Sequence, residues 1–243
     1  MIIINKTVTL VAAPVPPFVG TRIGITVPEG GLDWGIKAGA LADGSDFVTI
    51  SWGDGEETML GTDIQDLVHT YPRGGAYEVR ISDDISTLQV SGAADSVFCE
   101  TYAPMVVSLA SDARRLATFN PQAFRNAVNL RDMDLSESGI VQFRPLAFMD
   151  CLSLVSLAGL PCTLQTIYST VFSGSVNISG RVDFPAAKTI SGSVSTGKNL
   201  FSGCDGITEI HFAAENEETV KSSSAYRNDP RLGATNAEVI FDL

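Results

Sequence analysis

Three pairs of polar residues bracket single aliphatics in this 243-residue sequence: Asp132 and Asp134 around Met133, Arg181 and Asp183 around Val182, and Glu209 and His211 around Ile210. Ser156 and Ala158 bracket Leu157 in the same way. Carboxylates in such numbers raise glycoside hydrolysis, which needs two facing acids. They also suit plain recognition of a basic or hydroxyl-rich ligand. A Ser or Cys nucleophile would need a nearby base, and the chain has only His69 and His211. It contains no G-x-S-x-G elbow, phosphate-binding loop, dinucleotide fingerprint or H-E-x-x-H. Acidic side chains on one face of a repeat are more simply read as a solvated surface, so no catalytic residue is assigned.

The remaining candidates are weaker. Asp54 precedes Gly55 in a turn, where an aspartate most simply caps its own backbone. His69 is expected beside that turn, in contact with Asp54. Asp63, Asp66, Asp83 and Asp84 lack the spacing of a calcium loop. Cys99, Cys151, Cys162 and Cys204 form no CxxC or Cys/His pair, so neither metal nor cofactor is expected. The net charge of −12 repels phosphate backbones and argues against nucleic-acid binding. No run of 18 apolar residues exists, so no membrane span is expected. The start, Met1 to Lys6, lacks a basic segment before a long apolar core, and no signal peptide is expected.

The elements that would position these side chains follow from two periods. Over the first 84 residues, Ile23/Ile25/Val27, Val48/Ile50/Trp52 and Tyr77/Val79/Ile81 alternate with small or polar residues. Period two, broken by Gly30-Gly31, Asp54-Gly55 and Gly74-Gly75, predicts short antiparallel strands with one buried face. From Leu109 to Phe212 the period lengthens. Phe124, Phe148 and Phe172 are 24 residues apart and Phe201 follows after 29. Six residues after each stands Leu130, Leu154, Ile178 or Ile207; then come Met133, Leu157, Val182 and Ile210. The pairs Leu116/Phe119, Ile140/Phe143 and Leu164/Ile167 each end five residues before the next Phe. Such self-similarity predicts a solenoid whose units are buried only against their neighbours.

Within each unit, Asn120-Pro121 reads as a cap and first helical residue, predicting a short helix through Phe124. Leu130 to Leu135 reads as the following strand. Cys151 and Cys204 share a small buried position with Ala127 and Ser175. Two rungs at ~4.8 Å each separate them, beyond disulfide reach. Ile85, Leu88, Val90, Val106 and Leu109 read as a degenerate first rung. Residues 213–243 read as a cap, with a polar helix near 216–221 and a last strand at 237–241.

Two resemblances follow. Ser51-Trp52-Gly53-Asp54-Gly55, His69-Thr70-Tyr71 and Gly75-Ala76-Tyr77-Glu78-Val79 resemble the W-G-D-G, H-x-Y and G-x-Y-x-V elements of the PKD-type immunoglobulin-like domain, over about residues 1–84. That likeness implies a β-sandwich that serves as an extracellular spacer or adhesion element, with Tyr77 as its tyrosine corner. Ala147-Phe148-Met149-Asp150-Cys151, with Leu154, Leu157, Leu160-Pro161, Leu164 and Ile167, resembles the BspA-like leucine-rich repeat, over about residues 105–212. It implies a right-handed solenoid with a parallel sheet on one face. Its members are chiefly bacterial, often surface-exposed or secreted, and act in adhesion and host-protein binding.

The expected fold is therefore mainly β: a PKD-like sandwich at 1–84, then a repeat solenoid at 85–243. The expected function is non-enzymatic recognition of a protein or glycan at a cell surface. The alternative is a structural or interaction protein of a phage particle, or a cytoplasmic one. The expected binding face is the outward column Asp132, Asp134, Ser156, Ala158, Arg181, Asp183, Glu209 and His211. All four cysteines are expected as thiols. Titration of the denatured, unreduced chain should return four per molecule; two or none would mean a disulfide.

Overall fold

The computed structural model describes residues 18–40, 48–60, 65–82, 85–89, 101–191 and 198–243. The N-terminal strands are β1 (Gly20–Val27), β2 (Leu32–Ala40), β3 (Val48–Ser51), β4 (Glu57–Leu60), β5 (Gln65–Tyr71) and β6 (Gly75–Ser82). All are joined antiparallel, as their period-two patterns require: β1–β6–β3–β4 in one sheet and β2–β5 in another. The alternate residues Ile23, Ile25, Val27, Ile50, Val79 and Ile81 of the first sheet are buried, as are Trp34, Ile36 and Tyr71 of the second. The sheets meet where Trp34 stands edge-on to Trp52, ring centres 6.4 Å apart. Each indole N–H has a buried or half-buried acceptor, Tyr102 O at 3.0 Å and Thr58 Oγ1 at 2.8 Å. The Asp54-Gly55 hairpin forms between β3 and β4. Gly53 has φ +86°, and a Cβ there would lie 2.7 Å from Glu78 O, so only glycine fits.

Both sheets then run on into the repeats. β7 (Ile85–Gln89) pairs antiparallel with β2, and β8 (Val106–Ser111) pairs antiparallel with β1. From these the parallel ladders start. β7 leads to β9 (Thr118–Phe119), and β8 leads to β10 (Asp132–Asp134). The first ladder continues through β11 (Gln142–Phe143), β12 (Thr166–Tyr168) and β14 (Thr189–Ser191). The second resumes as β13 (Ser179–Phe184), β15 (Gly206–Phe212) and β16 (Glu238–Phe241). The solenoid thus carries two parallel ladders where the resemblance implied one. The reason is visible in the sequence: Phe119, Phe143 and Ile167 mark the inward positions of the additional ladder, and all are fully buried. Leu88, Val106 and Leu109 are buried as the first rung; Val90 lies outside the described residues.

The phenylalanines form the expected spine. Phe124, Phe148, Phe172 and Phe201 are fully buried, with successive centroids 5.4, 5.7 and 5.6 Å apart and ring planes within 10°. This spacing exceeds the ~4.8 Å rung pitch, so the rings stack with an offset, the arrangement their quadrupoles favour by about 0.5–1.5 kcal/mol per pair. A second aromatic stack, Phe184, Phe212 and Phe241, runs at 5.5 and 5.7 Å along the later rungs.

The segment around each Phe is a turn and not the expected helix. Gln122 and Asn126 both have φ of 62°, and Leu146 and Asp150 have 63° and 60°. Positive φ every fourth residue breaks the helical path. It also turns alternate N–H groups toward the next rung: Gln122 to Pro145 O at 2.9 Å, Phe124 to Ala147 O at 2.7 Å, Asn126 to Met149 O at 3.0 Å. Phe148, Phe172 and Phe201 repeat the bond to Val171, Leu200 and Leu232 at 3.0, 3.1 and 2.8 Å. Three residues after the Phe, a small side chain closes the network. Cys151 Sγ, Ser175 Oγ and Cys204 Sγ donate back to the carbonyls of Phe124, Phe148 and Phe172 at 3.3, 2.8 and 3.3 Å. Cys151 and Cys204 are buried free thiols, and burial drives both away from ionisation, Cys204 up to about 12. Cys162 is free and exposed; Cys99 lies outside the described residues.

The C-terminal segment covers the last rung. Two short helices, α1 (Glu217–Ser222) and α2 (Ser224–Asn228), stand before β16, the first where a polar helix was expected. Lys221 Nζ lies 5.1 Å from the Phe241 ring centre and Tyr226 meets it edge-on at 6.3 Å, ending the second stack. Replacing the inner ring of the spine, Phe148→Ala, should lower stability by roughly 3–5 kcal/mol, measured by urea denaturation. A loss below about 1 kcal/mol, typical of a surface change, would contradict the spine.

Candidate functional site

The expected binding column is assembled in two pieces. At its first rung Asp132 and Asp134 are exposed on β10, with Met133 inward between them and 9% exposed. At its third and fourth rungs, β13 presents Arg181 and Asp183, and β15 presents Glu209 and His211. The ladder sets Arg181 beside Glu209 and Asp183 beside His211. Between the pieces, Ser156 and Ala158 are exposed around buried Leu157, but this rung forms no strand. Elsewhere the second inward residue follows the first by two: Met133/Leu135, Val182/Phe184, Ile210/Phe212. Here Leu160 follows Leu157 by three, and a turn bond from Leu160 N to Leu157 O, 3.3 Å, replaces the extended path. The rung remains attached at its ends, Leu135 N to Gly159 O at 2.7 Å and Ser179 N to Val155 O at 3.2 Å. At Gly180, φ +80°, the β13–β15 register shifts by one, leaving Thr208 of β15 without a register partner.

Where the ladder is interrupted, the surface is hollowed. A depression of about 300 Å³ is lined by Ser108, Asp132, Asp134, Val155 and Ser156, with Arg131 at its margin. A second hollow, about 480 Å³, shares Ser108, Arg131 and Asp132 with it and reaches Thr26 on β1. Four of the expected residues, Asp132, Asp134, Ser156 and Ala158, therefore line one open groove of mixed polar and apolar character that crosses from the repeats to the N-terminal sheet. Arg131, Ser108 and Thr26 had not been singled out: Arg131 sits one position before the strand, and only the β1–β8–β10 pairing reveals the other two. Two of the groove's polar groups are partly spent locally. Asp134 Oδ1 accepts from Ser136 N and Oγ at 3.2 and 2.7 Å, and Ser156 Oγ accepts from Ala158 N at 3.2 Å. Asp132 and Arg131 form no ion pair among the described residues.

The other piece is a charge cluster. Arg181 Nε donates to Asp183 Oδ1 at 2.6 Å. His211 faces the same side but is 3% exposed, against the open position expected of it. The cause is Asp242, just beyond β16: its Oδ1 lies 2.6 Å from Nδ1 of His211, while Glu209 Oε2 lies 3.0 Å from Nε2. Burial works against the charged ring, but the two carboxylates outweigh it and hold the imidazole above its ordinary value.

The N-terminal candidates resolve as structural. Asp54 Oδ1 accepts from Glu56 N at 3.1 Å, capping its own turn, and its Oδ2 meets His69 Nε2 at 2.7 Å. Partial burial pushes the carboxyl up, but these bonds and the histidine's charge hold it below the usual range. His69 stacks flat on Trp52 at 5.0 Å. The hydroxyl of Tyr77 returns to Arg73 O at 2.9 Å, the upstream bond expected of it, and buried Tyr71 donates to Trp52 O at 2.8 Å. Of the four aspartates weighed for calcium, Asp66 is described, and it pairs with Lys37 at 3.0 Å. Among the described residues no three His, Cys, Asp or Glu side chains are placed to hold a metal ion. No helix of these residues is long and apolar enough to cross a membrane.

One further regularity was missed in sequence. Asn129, Asn177 and Asn236 each stand one residue before an inward aliphatic or alanine. Each donates its amide to a carbonyl of the rung before, Pro104, Leu152 or Asp205, at 2.8, 2.7 and 2.8 Å. The same bond at Asn236 shows that the C-terminal segment continues the repeat.

Residues 117–232 match the family model of the BspA type leucine rich repeat region, in 6 copies. The match runs past Phe212 into the capping segment, in line with Asn236. Among solved structures, the leucine rich repeat protein of T. pallidum aligns at 17% identity over 66% of this chain and 76% of that one, with a TM-score of 0.39. No curated protein matches. The repeat family is consistent with a role in protein interaction or adhesion, and no catalytic family is indicated.

Proposed function

We propose that this protein is a non-enzymatic recognition module that presents the outer face of its repeat region to a protein or glycan, in a cell-surface or secreted setting. In this reading residues 1–84 form a PKD-like module. Residues 85–243 form the repeat module, with 213–243 as its cap. The observation that carries the proposal is the open groove at the interrupted rung, where Asp132, Asp134 and Ser156 stand with Arg131 and Ser108. A regular ladder would have closed that space with paired strands. A break in regularity beside the exposed Asp132 and Asp134 suits a binding surface, because repeats present side chains at a fixed pitch of ~4.8 Å.

The chemistry of the face selects its ligand. Asp132, Asp134, Asp183, Glu209 and Glu238 are acceptors, and the family role favours a macromolecular partner. The groove offers paired carboxylates and hydroxyls to lysine or arginine side chains, or to the vicinal hydroxyls of a sugar. The expected partner is therefore basic or hydroxyl-rich. For a basic partner, affinity should fall steeply between low and high salt, because exposed charges are screened beyond ~10 Å at 0.1 M and ~3 Å at 1 M.

The test is a screen of the purified protein against a glycan array and a panel of basic proteins, followed by titration of any partner found. A variant combining Asp132→Ala, Asp134→Ala and Asp183→Ala should bind that partner at least roughly tenfold more weakly, a loss of about 1.4 kcal/mol. Unchanged affinity would remove this face as the binding surface.

A further inference from the structure

The charge cluster at the last rungs has a geometry that a solvated surface does not need. Both ring nitrogens of His211 lie within hydrogen-bond distance of carboxylate oxygens, Nδ1 to Asp242 and Nε2 to Glu209. An ionised carboxylate only accepts hydrogen bonds. Both nitrogens must therefore donate, and an imidazole with two N–H groups carries a proton more than the neutral ring. His211 is held between strands: it lies on β15, Asp183 of β13 is its register neighbour on one side, and Ile240 of β16 on the other. Asp242 belongs to the chain leaving β16, whose N–H bonds Phe212 O at 3.1 Å.

We propose that His211, Glu209 and Asp242 form a proton-loaded clasp that fastens β16 and the chain beyond it to the solenoid, so that the terminal rung loosens as pH rises. When the extra proton leaves, the ring keeps one N–H. The other nitrogen then presents a lone pair to a carboxylate at the same short distance, a repulsion in place of a bond. Both carboxylates are half-exposed; Glu209 shares β15 with the ring, so it is the departure of Asp242 that removes the side-chain tie between β15 and the chain beyond the last strand.

The charged groups that bear on the ring come from three strands. Arg181 and Asp183 face it from β13, where they are bonded to each other, and Arg181 works against the ring's charge. Glu209 lies on β15, and Glu238 on β16 is the register neighbour of Glu209. With Asp242 this leaves an excess of negative charge around one imidazolium. The direction of the pH dependence follows. The ring's affinity for its proton is raised on folding, so the clasp is complete below the ordinary histidine value of ~6.5 and is lost as pH rises through the raised folded value. The device belongs to the fold and does not depend on the function proposed above.

The chain has only two histidines, so the test is direct. In an NMR titration of the ring carbons and nitrogens, with His69 assigned through a His69→Gln variant, His211 should show two protonated nitrogens at pH 6 and a midpoint above ~6.5. Amide exchange then reads the clasp itself. Protection factors of Val239, Ile240 and Phe241, relative to those of Phe143 and Ile167 in the middle rungs, should fall roughly tenfold across that midpoint for each unit by which it is raised. In Asp242→Asn, which keeps the side chain's shape, that fall should shrink while the middle rungs stay protected. A midpoint at or below ~6.5, a single protonated nitrogen at pH 6, or relative protection of β16 that does not change with pH would overturn the proposal.

Discussion

No rung of this protein can satisfy its own backbone, and the structure depends on how each rung borrows from the next. Buried N–H and C=O groups must find partners. The strands supply them over only two or three residues per rung in most places, too few to hold a ladder alone. The turns around Phe124, Phe148, Phe172 and Phe201 supply the rest. Positive φ at residues such as Gln122 and Asn126 aims their N–H groups at the following rung. Cys151, Ser175 and Cys204 then return a bond to the rung before. The stacked phenyl rings exclude water from these bonds, where an unmade one would cost about 1–3 kcal/mol. Apolar stacking and backbone pairing therefore stand or fall together.

The same requirement explains the ends. A stack of rungs has two open faces, and each is closed by different means. At the start, β7 and β8 pair antiparallel with β2 and β1, so the N-terminal sheets provide the first rung with partners on both ladders. At the finish, Leu232 accepts from Phe201, β16 pairs with β15, and Lys221 and Tyr226 cover Phe241. The groove lies where the regularity lapses. The extra residue between Leu157 and Leu160 denies the second rung its strand and opens the groove beside Asp132.

Much of this was legible in residues whose spacing reflects burial. The Phe spine, the inward aliphatics and the shared small position of Cys151 and Cys204 all follow from a repeat of 24 residues, because burial against a neighbour demands the same side chain at the same place. The turn at Phe124 was misread as a helix, since Asn120-Pro121 carries a helix-cap signal while positive φ at Gln122 and Asn126 carries none in residue type. The second ladder was implicit in Phe119, Phe143 and Ile167 but needed the β7–β9 pairing to become a sheet. The outward residues were placed correctly at Asp132, Asp134, Arg181 and Asp183, where alternation alone decides. It did not decide for His211, whose burial depends on Asp242, 31 residues later. Nor did it reveal Arg131 and Thr26, which line one hollow only because β8 pairs with both β1 and β10.

The central claim is that the phenylalanine turns, and not the short strands alone, bind the rungs together. Native-state amide exchange of Phe124, Phe148, Phe172 and Phe201 tests it most directly, because each of these N–H groups bonds only to the neighbouring rung. They should exchange as slowly as strand amides such as Ile167 and Ile210, near the limit set by global unfolding. Exchange at the rate of surface loops, with the strand amides still protected, would contradict it.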